Sequence, residues 1–380
     1  MRILTRYLIR EFLLYCALAL VTTTTILLLR QIFLLTKWFV RKNVAIGYLF
    51  ELIFYALPAV LSLTIPMAFL AGMLMVLGQF AFTGEITAIQ ASGIGVYQLI
   101  PRVFVVGVVF ALLDFWMIAV GQPWGNTAYL NLLTDIRRQN PALVLEPETI
   151  MRELESRELI WFYEREDPKT RELYGVRMWQ DYHDGHPRFV TATRGRLLVE
   201  SGQGALHLYD GTAYQRDPDR PAGVLIQRFQ EEIHYLPLDS EIERSETRFQ
   251  TYRSMTLTEL NREIRLLKDR LQTEESELLR QNVEKALRRA QLEWYKKWAI
   301  PFACLAFALA AVPLGVLTNR SGFMVGLVIG LPLVIVYYTL LRVGETLAVQ
   351  GSLSAALGSW LPNIPVAALG VALSVRQWKR

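Results

Sequence analysis

The chain has 380 residues, of which 52% are hydrophobic and 20% are charged, and its formal net charge is +5. Apolar residues dominate both ends, whereas residues 137–297 are rich in charge, so the composition excludes a single soluble globular domain. The small net charge, and the lack of a basic run interleaved with aromatic residues, argue against a nucleic-acid-binding protein.

Six apolar runs are each long enough to cross a membrane as a helix, which takes about 20 residues. They cover residues 12–35, 52–80, 98–122, 298–317, 323–346 and 353–375. The first run follows Arg2, Arg6 and Arg10 but is too long for the apolar part of a signal peptide, so it predicts a retained span. The sequence therefore predicts a membrane α-helical bundle of six spans.

Basic residues outside the runs predict the orientation of these spans. The start of the chain is basic, and so is its end, with Arg376, Lys379 and Arg380. Because short basic segments favour the cytoplasm, we expect cytoplasmic termini and a cytoplasmic loop at residues 83–97. Residues 123–297 then lie on the opposite side of the membrane.

A short polar segment separates the second and third runs, and we predict a helix over about residues 82–93. A loop that only reverses the chain needs no helix, and small residues here permit the close approach of another protein. The single carboxylate of Glu85 suits a charge-assisted hydrogen bond to a cation of that protein. The candidate docking residues are Gly84, Glu85, Ile86, Ala88, Ile89, Ser92 and Gly93.

Cations also occur on the side where the positive-inside rule does not expect them. Arg30, Lys37 and Arg41 are spaced seven and four residues apart, so they fall near one helical face, and Lys42 follows. Such a stripe suits a phosphorylated lipid headgroup, and interfacial anchoring is the alternative. The same two interpretations apply to cations before the fourth run: Lys285, Arg288, Arg289, Lys296 and Lys297.

Ionisable residues inside spans are functional candidates because burying charge in a bilayer is costly. Asp114 either hydrogen-bonds within the bundle or serves a function, and Arg342 and Glu345 are placed to pair across one helical turn. The cysteines, Cys16 and Cys304, lie inside apolar runs, where we expect them to be small apolar fillers.

The middle of the chain carries strand signals. Between residues 143 and 240, short aromatic or alternating runs recur, and dipeptides such as Asp210-Gly211 mark turns between them. This pattern predicts an all-β domain, arranged as an antiparallel sandwich, a jelly roll or a curved sheet. An open sheet leaves edges that must be covered or paired with a partner.

These predictions divide the chain into four parts. They are residues 1–122 with the first three spans, 123–255 with the β domain, 256–297 as an amphipathic helical connection, and 298–380 with the last three spans.

Motifs for chemistry are missing from the sequence. It has no Walker A sequence, no G-x-S-x-G and no Rossmann fingerprint, so we expect neither an enzyme nor a cofactor. The histidines His183, His186, His207 and His234 lie in the β part, without the cysteines or the HExxH helix that would indicate a metal. A chain without a nucleotide site needs an external source of energy if it moves a substrate.

Four segments of the chain resemble the lipopolysaccharide-export permease family LptF/LptG, also called YjgP/YjgQ. They are residues 6–11 (RYLIRE), 77–79 (LGQ), 84–93 (GEITAIQASG) and 311–315 (AVPLG). The order of three spans, β domain and three spans is similar to the family over nearly the whole chain. Residues 289–294 and the VPLG run favour the F type.

The resemblance implies a subunit that extracts lipopolysaccharide from the outer leaflet of the Gram-negative inner membrane. It implies a partner permease of the G type (or of the F type), an LptB-type cytoplasmic ATPase dimer, a single-span LptC-type protein and an LptA-type bridge of periplasmic β-jellyroll domains. In the family an acidic residue of the cytoplasmic coupling helix docks in a groove of the ATPase, and here that residue is Glu85. The family's cations that contact lipid phosphates match the region of Arg30, Lys37, Arg41 and Lys42.

Two other functions remain compatible with parts of the sequence. An ABC permease of the lipoprotein-release or mechanotransmission class also uses a short cytoplasmic helix, but usually has four spans. A membrane-bound lipid-modifying enzyme would need a clustered set of acid, base or metal ligands, which the sequence does not offer.

Overall fold

The computed structural model describes residues 2–42, 46–93, 95–139, 151–153, 158–167, 170, 172–181, 188–200, 203–216, 223–236, 252–273, 277–316 and 324–378. They belong to two compact units. The helical unit comprises Met1–Thr36, Gly47–Tyr129 and Thr251–Arg380, and the β unit comprises Lys37–Ile46 and Leu130–Gln250.

The helices follow one another with few interruptions. They are α1 (Arg2–Lys42), α2 (Ile46–Phe82), α3 (Glu85–Ala91), α4 (Ile100–Trp116), α5 (Gln122–Gln139), α6 (Leu257–Thr273), α7 (Glu277–Val316), α8 (Met324–Gln350), α9 (Ala355–Trp360) and α10 (Asn363–Trp378). A 3₁₀ turn at Val96–Leu99 precedes α4, and a π turn at Met117–Gly121 joins α4 to α5.

Within the described residues, five helical segments are long and apolar enough to cross a membrane. They are Arg6–Phe33, Ile46–Phe82, Ile100–Ile136, Leu279–Val316 and Val328–Gln350. Together with the strands described below, they confirm the prediction of a membrane helical bundle with an inserted β domain, but the sixth predicted span, 353–375, is not among the five.

Three boundaries differ from the prediction. The helix that contains the third predicted span continues past residue 122, since α5 extends to Gln139. The connection and the fourth span are not separate, since α7 runs through both. The last apolar run is divided into α9 and α10 because Pro362 interrupts it, and the apolar part of α10 is shorter than the other spans.

The helical unit packs around large side chains that are fully buried, among them Phe12, Phe69 and Phe307. α1 contributes the stripe Leu8, Phe12, Cys16 and Ala19, whose spacing places all four on one helical face. Gly72 of α2 lies against this stripe, and a Cβ there would come within 2.8 Å of the Cys16 Cα. The two helices therefore approach each other at backbone distance.

A neighbouring helix supports the turn of α2 that precedes Pro66. Pro66 has no N–H to donate to the carbonyl of Ser62, four residues earlier in α2, and the hydroxyl of Tyr338 in α8 donates to the next carbonyl, that of Leu63, at 2.6 Å. This is the support from neighbours that allows a helix break in a membrane bundle.

The strands of the β unit form one antiparallel sheet. They are β1 (Met151–Glu153), β2 (Glu158–Phe162), β3 (Arg165–Glu166), β4 (Glu172–Asp181), β5 (Arg188–Glu200), β6 (Gln203–Arg216) and β7 (Val224–Leu236). Their order is β1-β2-β4-β5-β6-β7, and β3 pairs with β4. Neighbouring strands are thus mostly consecutive in sequence, as in a meander.

The sheet has a buried core and an open edge. Leu173, Met178 and Val190 are buried in a cluster with other apolar residues of the sheet. β7 pairs only with β6 among the described strands, and its residues Val224 and Ile226 are 62% and 64% exposed. Such an edge is available for pairing with another strand.

α6 and α7 pack against each other through a separate apolar cluster that includes Leu260, Leu267 and Leu287. A capping box begins α6: the N–H of Thr256 donates to Glu259 at 2.7 Å, and the Glu259 N–H donates to the Thr256 hydroxyl at 3.4 Å. The Thr256 N–H and the Thr256 hydroxyl, which also donates to Glu259 Oε2 at 2.9 Å, lower the pKa of the Glu259 carboxyl. The predicted amphipathic character of this region follows from the one apolar face of each helix.

Candidate functional site

The predicted polar helix exists as α3, which lies between α2 and α4. Gly84 precedes it with a φ of 79°, and Gly93 follows it with a φ of 80°. A side chain with a Cβ is strained at such angles, so these glycines permit the sharp entry and exit of the helix. All seven candidate docking residues lie within α3 or directly beside it.

One residue anchors α3 to the bundle. Ile86 is 3% exposed and belongs to the same core cluster as Leu8, Phe80 and Leu99. Ile86 is one of the predicted docking contacts, but its side chain is buried in the helical unit. Ala88 and Ser92 are exposed and Ile89 is half-buried, so these residues present the accessible surface of α3.

The carboxylate of Glu85 is held by two hydroxyl groups. Thr83 donates to Oε1 at 3.1 Å, and the Tyr7 hydroxyl of α1 donates to the same oxygen at 3.5 Å. The Tyr7 ring is stacked on Phe80, with the ring centroids 5.2 Å apart and the planes 4° from parallel. Tyr7 was not a predicted site residue, although it lies in the segment 6–11 that carries the family resemblance.

The proposed lipid-binding cations belong to the second half of α1. Arg30 is exposed, and the neighbouring Gln31 donates to the Tyr129 hydroxyl of α5 at 3.1 Å. Lys37, Arg41 and Lys42 belong to the backbone of α1, but they lie outside the residues whose side chains are described.

Two lysines before the fourth span are not surface cations. Lys296 and Lys297 are only 6% and 2% exposed. Lys296 Nζ lies 2.8 Å from Glu345 Oε1 and 3.0 Å from Glu293 Oε1. For these two residues both predicted interpretations, snorkelling and lipid binding, are wrong, because their ammonium groups have partners inside the protein.

The ammonium group of Lys297 contacts a backbone carbonyl that the π turn leaves without a hydrogen-bond partner inside its own helix. The N–H of Gln122 bonds the carbonyl of Met117, and the next residue, Pro123, has no N–H to offer Ile118. Lys297 Nζ donates to the Ile118 carbonyl at 3.1 Å. A side chain of α7 thus stabilises the junction between α4 and α5.

The π turn also changes which face of the helix packs closely. Before it, a Cβ on Gly107 would meet Ala308 of α7 at 2.9 Å. After it, a Cβ on Gly125 would meet the Tyr55 carbonyl of α2 at 2.5 Å. The extra residue of the π turn rotates α5 by roughly 100° relative to an uninterrupted helix.

The ionisable residues of the spans have different surroundings. Arg342 donates to Glu345 Oε2 at 2.9 Å, as predicted, and Glu345 also accepts from Lys296. Asp114 is fully buried, and neither of its carboxylate oxygens has a hydrogen-bond partner among the described residues. The predicted hydrogen bond of Asp114 within the bundle is therefore not formed in this structure.

Comparison with known proteins assigns the family. The family model described as "Lipopolysaccharide export system permease LptF/LptG" matches residues 6–376. The lipopolysaccharide export system permease proteins LptF of Escherichia coli (strain K12) and of Shigella flexneri are each 21% identical to this chain over 376 residues, which cover 98% of this chain and 94% of the relative. Both relatives are of the F type, which residues 289–294 also favour. The chain belongs to the lipopolysaccharide export system permease family LptF/LptG.

Proposed function

We propose that the chain is the permease subunit of an ATP-driven transporter that extracts lipopolysaccharide from the outer leaflet of the bacterial inner membrane. The family match over residues 6–376 supports the permease role. In this proposal an F-type chain pairs with a G-type permease and an LptC-type protein. The lipid then passes to a periplasmic LptA-type bridge.

Energy would come from a separate LptB-type ATPase dimer that docks on α3. The observation that carries this proposal is the structure around Glu85. Ile86 fixes α3 to the bundle, and Thr83 and Tyr7 both bond Oε1 of Glu85. No hydrogen bond to Oε2 occurs among the described residues, so this oxygen is available to a lysine or arginine of the ATPase.

Movement of the docked ATPase can reach the spans directly, because α3 connects α2 to α4 through short turns. A rigid α3 moves with the helices that flank it, and this is a rigid-body form of transmission. The docking residues in this proposal are Gly84, Glu85, Ala88, Ile89, Ser92 and Gly93, with Ile86 as the internal anchor.

In this proposal lipopolysaccharide binds to the second half of α1. The exposed Arg30, together with Lys37, Arg41 and Lys42, offers cations to the phosphate groups of lipopolysaccharide. Lys296 and Lys297 take no part, since their partners are internal.

The edge strand β7, with exposed Val224 and Ile226, is the surface that we propose for pairing with a β domain of the periplasmic bridge.

The first experiment is purification in mild detergent, followed by mass spectrometry of the proteins and lipids that co-purify. We expect an ATPase, a second permease and lipopolysaccharide. Glu85→Ala should remove most of the ATPase while the chain remains in the membrane. The matched control is Glu51→Ala, which removes an exposed acid near the start of α2. Unchanged ATPase recovery with Glu85→Ala would contradict the docking role.

The second experiment tests the lipid site by photocrosslinking to lipopolysaccharide in whole cells. Arg30→Gln and Lys37→Asp should each lower the crosslinking yield, because they remove a cation that pairs with phosphate. Arg10→Gln, an exposed arginine elsewhere on α1, serves as the control. If the yields remain equal, these cations act as interfacial anchors rather than as a lipid site.

A further inference from the structure

The contact between Tyr7 and Glu85 joins two elements that are distant in sequence. Tyr7 lies in α1, and Glu85 begins α3, 78 residues later. Next to them, Leu8 and Ile86 are buried in the same apolar cluster. The docking helix is thus attached to α1 by an apolar contact and a polar contact side by side.

Tyr7 is 42% exposed, and its ring is stacked on one neighbour. Its ring lies nearly parallel to Phe80, at 5.2 Å between centroids, and this stacking limits rotation of the side chain. No other hydrogen bond of the Tyr7 hydroxyl occurs among the described residues. The distance of 3.5 Å to Oε1 is longer than the roughly 2.7 Å of a strong O–H···O bond, so a small shift of α3 would tighten it.

The hydroxyl of Thr83 has more acceptors within reach than the hydroxyl of Tyr7. Its hydroxyl carries one proton, and it lies 3.0 Å from the Gln79 carbonyl as well as 3.1 Å from Glu85 Oε1. A threonine near the end of a helix commonly donates to the preceding turn. Among the described residues, Glu85 is therefore the one acceptor of the Tyr7 hydroxyl, whereas the Thr83 hydroxyl has more than one.

We propose that Tyr7 is a positioning residue for the docking helix, whose hydroxyl holds Oε1 of Glu85 so that Oε2 remains for a lysine or arginine of the ATPase. This inference rests on the proposed docking function of α3. It adds that α1, the helix that carries Arg30, is attached to the docking carboxylate itself, so the ATPase engages three helices of the permease rather than two.

A double-mutant cycle tests this role. The full permease complex in nanodiscs is titrated with purified ATPase, and the Kd is measured for wild type, Tyr7→Phe, Glu85→Ala and the double variant. Tyr7→Phe keeps the stacked ring and removes only the hydroxyl. We expect Tyr7→Phe to raise Kd roughly threefold to tenfold, which is the range for one ordinary hydrogen bond, because the 3.5 Å contact is too long for a strong bond to a charged group. In the Glu85→Ala background the same change should raise Kd less than about twofold.

Control variants separate positioning from folding. Thr22→Val removes an exposed hydroxyl of α1 that bonds only its own helix at the Leu18 carbonyl among the described residues, and it should leave Kd unchanged. Tyr7→Leu removes the ring as well as the hydroxyl and should weaken binding at least as much as Tyr7→Phe.

Each outcome has one meaning. A wild-type Kd for Tyr7→Phe, alongside a raised Kd for Glu85→Ala, overturns the positioning role and leaves the docking proposal intact. An equal effect of Tyr7→Phe in both backgrounds assigns Tyr7 a structural role only and also overturns the inference. An unchanged Kd for Glu85→Ala contradicts the docking proposal itself.

Discussion

Lys297 donates from its ammonium group to the main-chain carbonyl of Ile118, which lies 179 residues earlier in the chain, at 3.1 Å. The lysine side chain is buried, and the carbonyl belongs to a π turn that ends beside Pro123. A buried carbonyl without a donor is costly. The pair therefore shows how α7 maintains a non-standard turn in another helix.

Lys297→Met should weaken this junction. Methionine has a similar length but no donor, so the Ile118 carbonyl loses its partner, at a cost of about 1–3 kcal/mol. We expect a lower thermal midpoint and faster hydrogen exchange at residues 117–125 in detergent micelles. Lys285→Met, at an exposed position of the same helix, should change neither quantity. Unaltered exchange in Lys297→Met would mean that the π turn is stable without this contact.

The ion pair between Lys296 and Glu345 predicts non-additive energies. Each residue keeps a second partner of opposite charge, Glu293 for Lys296 and Arg342 for Glu345. Lys296→Met and Glu345→Leu should therefore each cost less than the roughly 3–5 kcal/mol seen when a buried pair is broken. The double variant should lose clearly less stability than the sum of the single variants, as measured by chemical unfolding. Strict additivity would show that the two side chains do not interact.

The close approach of α5 to α2 predicts a strong effect from one methyl group. A Cβ on Gly125 would lie 2.5 Å from the main-chain carbonyl of Tyr55, which cannot rotate away. Gly125→Ala should cost about 1–3 kcal/mol through overpacking and lower the yield of folded protein. Gly47→Ala is the control, because a Cβ there meets no heavy atom within 4 Å. Equal thermal midpoints for the two variants would contradict this packing.

The β unit should lose stability in mild acid through His234. Burial lowers the pKa of this imidazole, the Arg188 cation lowers it further, and Glu232 opposes both effects. The unfolded chain binds a proton near pH 6.5, whereas the folded chain binds it only at lower pH, so stability falls as pH drops below about 6.5. The thermal midpoint of the β unit should decrease between pH 7.5 and pH 5.5. His234→Gln cannot bind the proton, so a similar decrease in that variant would exclude His234 as the cause.

Local patterns were sufficient to predict much of the fold. Long apolar runs predicted the helical bundle, and alternation with turn dipeptides predicted the inserted β region, because each signal depends only on nearby residues. The helix boundaries were less predictable. Residues 123–139 are polar enough to resemble a loop, yet they continue the preceding helix as α5. Pro362 divided the last run, and hydropathy averages do not register a single proline.

The candidate docking site was likewise predictable from the sequence only in part. The polar and small residues at 84–93 predicted a short helix over about residues 82–93, and α3 covers the shorter range Glu85–Ala91. The sequence did not indicate that Ile86 faces inward or that Tyr7 reaches Glu85. Both depend on how α1 and α3 are placed, and that placement follows from the packing of the whole helical unit.

The burial and the partners of charged side chains depend most strongly on contacts between residues that are distant in sequence. From the sequence, Lys296 and Lys297 belong to a cluster of cations next to a span, where exposure to lipid headgroups is the normal expectation. Packing instead buries them beside Glu345 and the Ile118 carbonyl. Hydropathy and residue spacing are properties of residues that are near one another in the sequence. They therefore determine which segments enter the membrane and which form strands. The partner of a buried charge is determined by the approach of distant helices, and no local pattern in the chain encodes it.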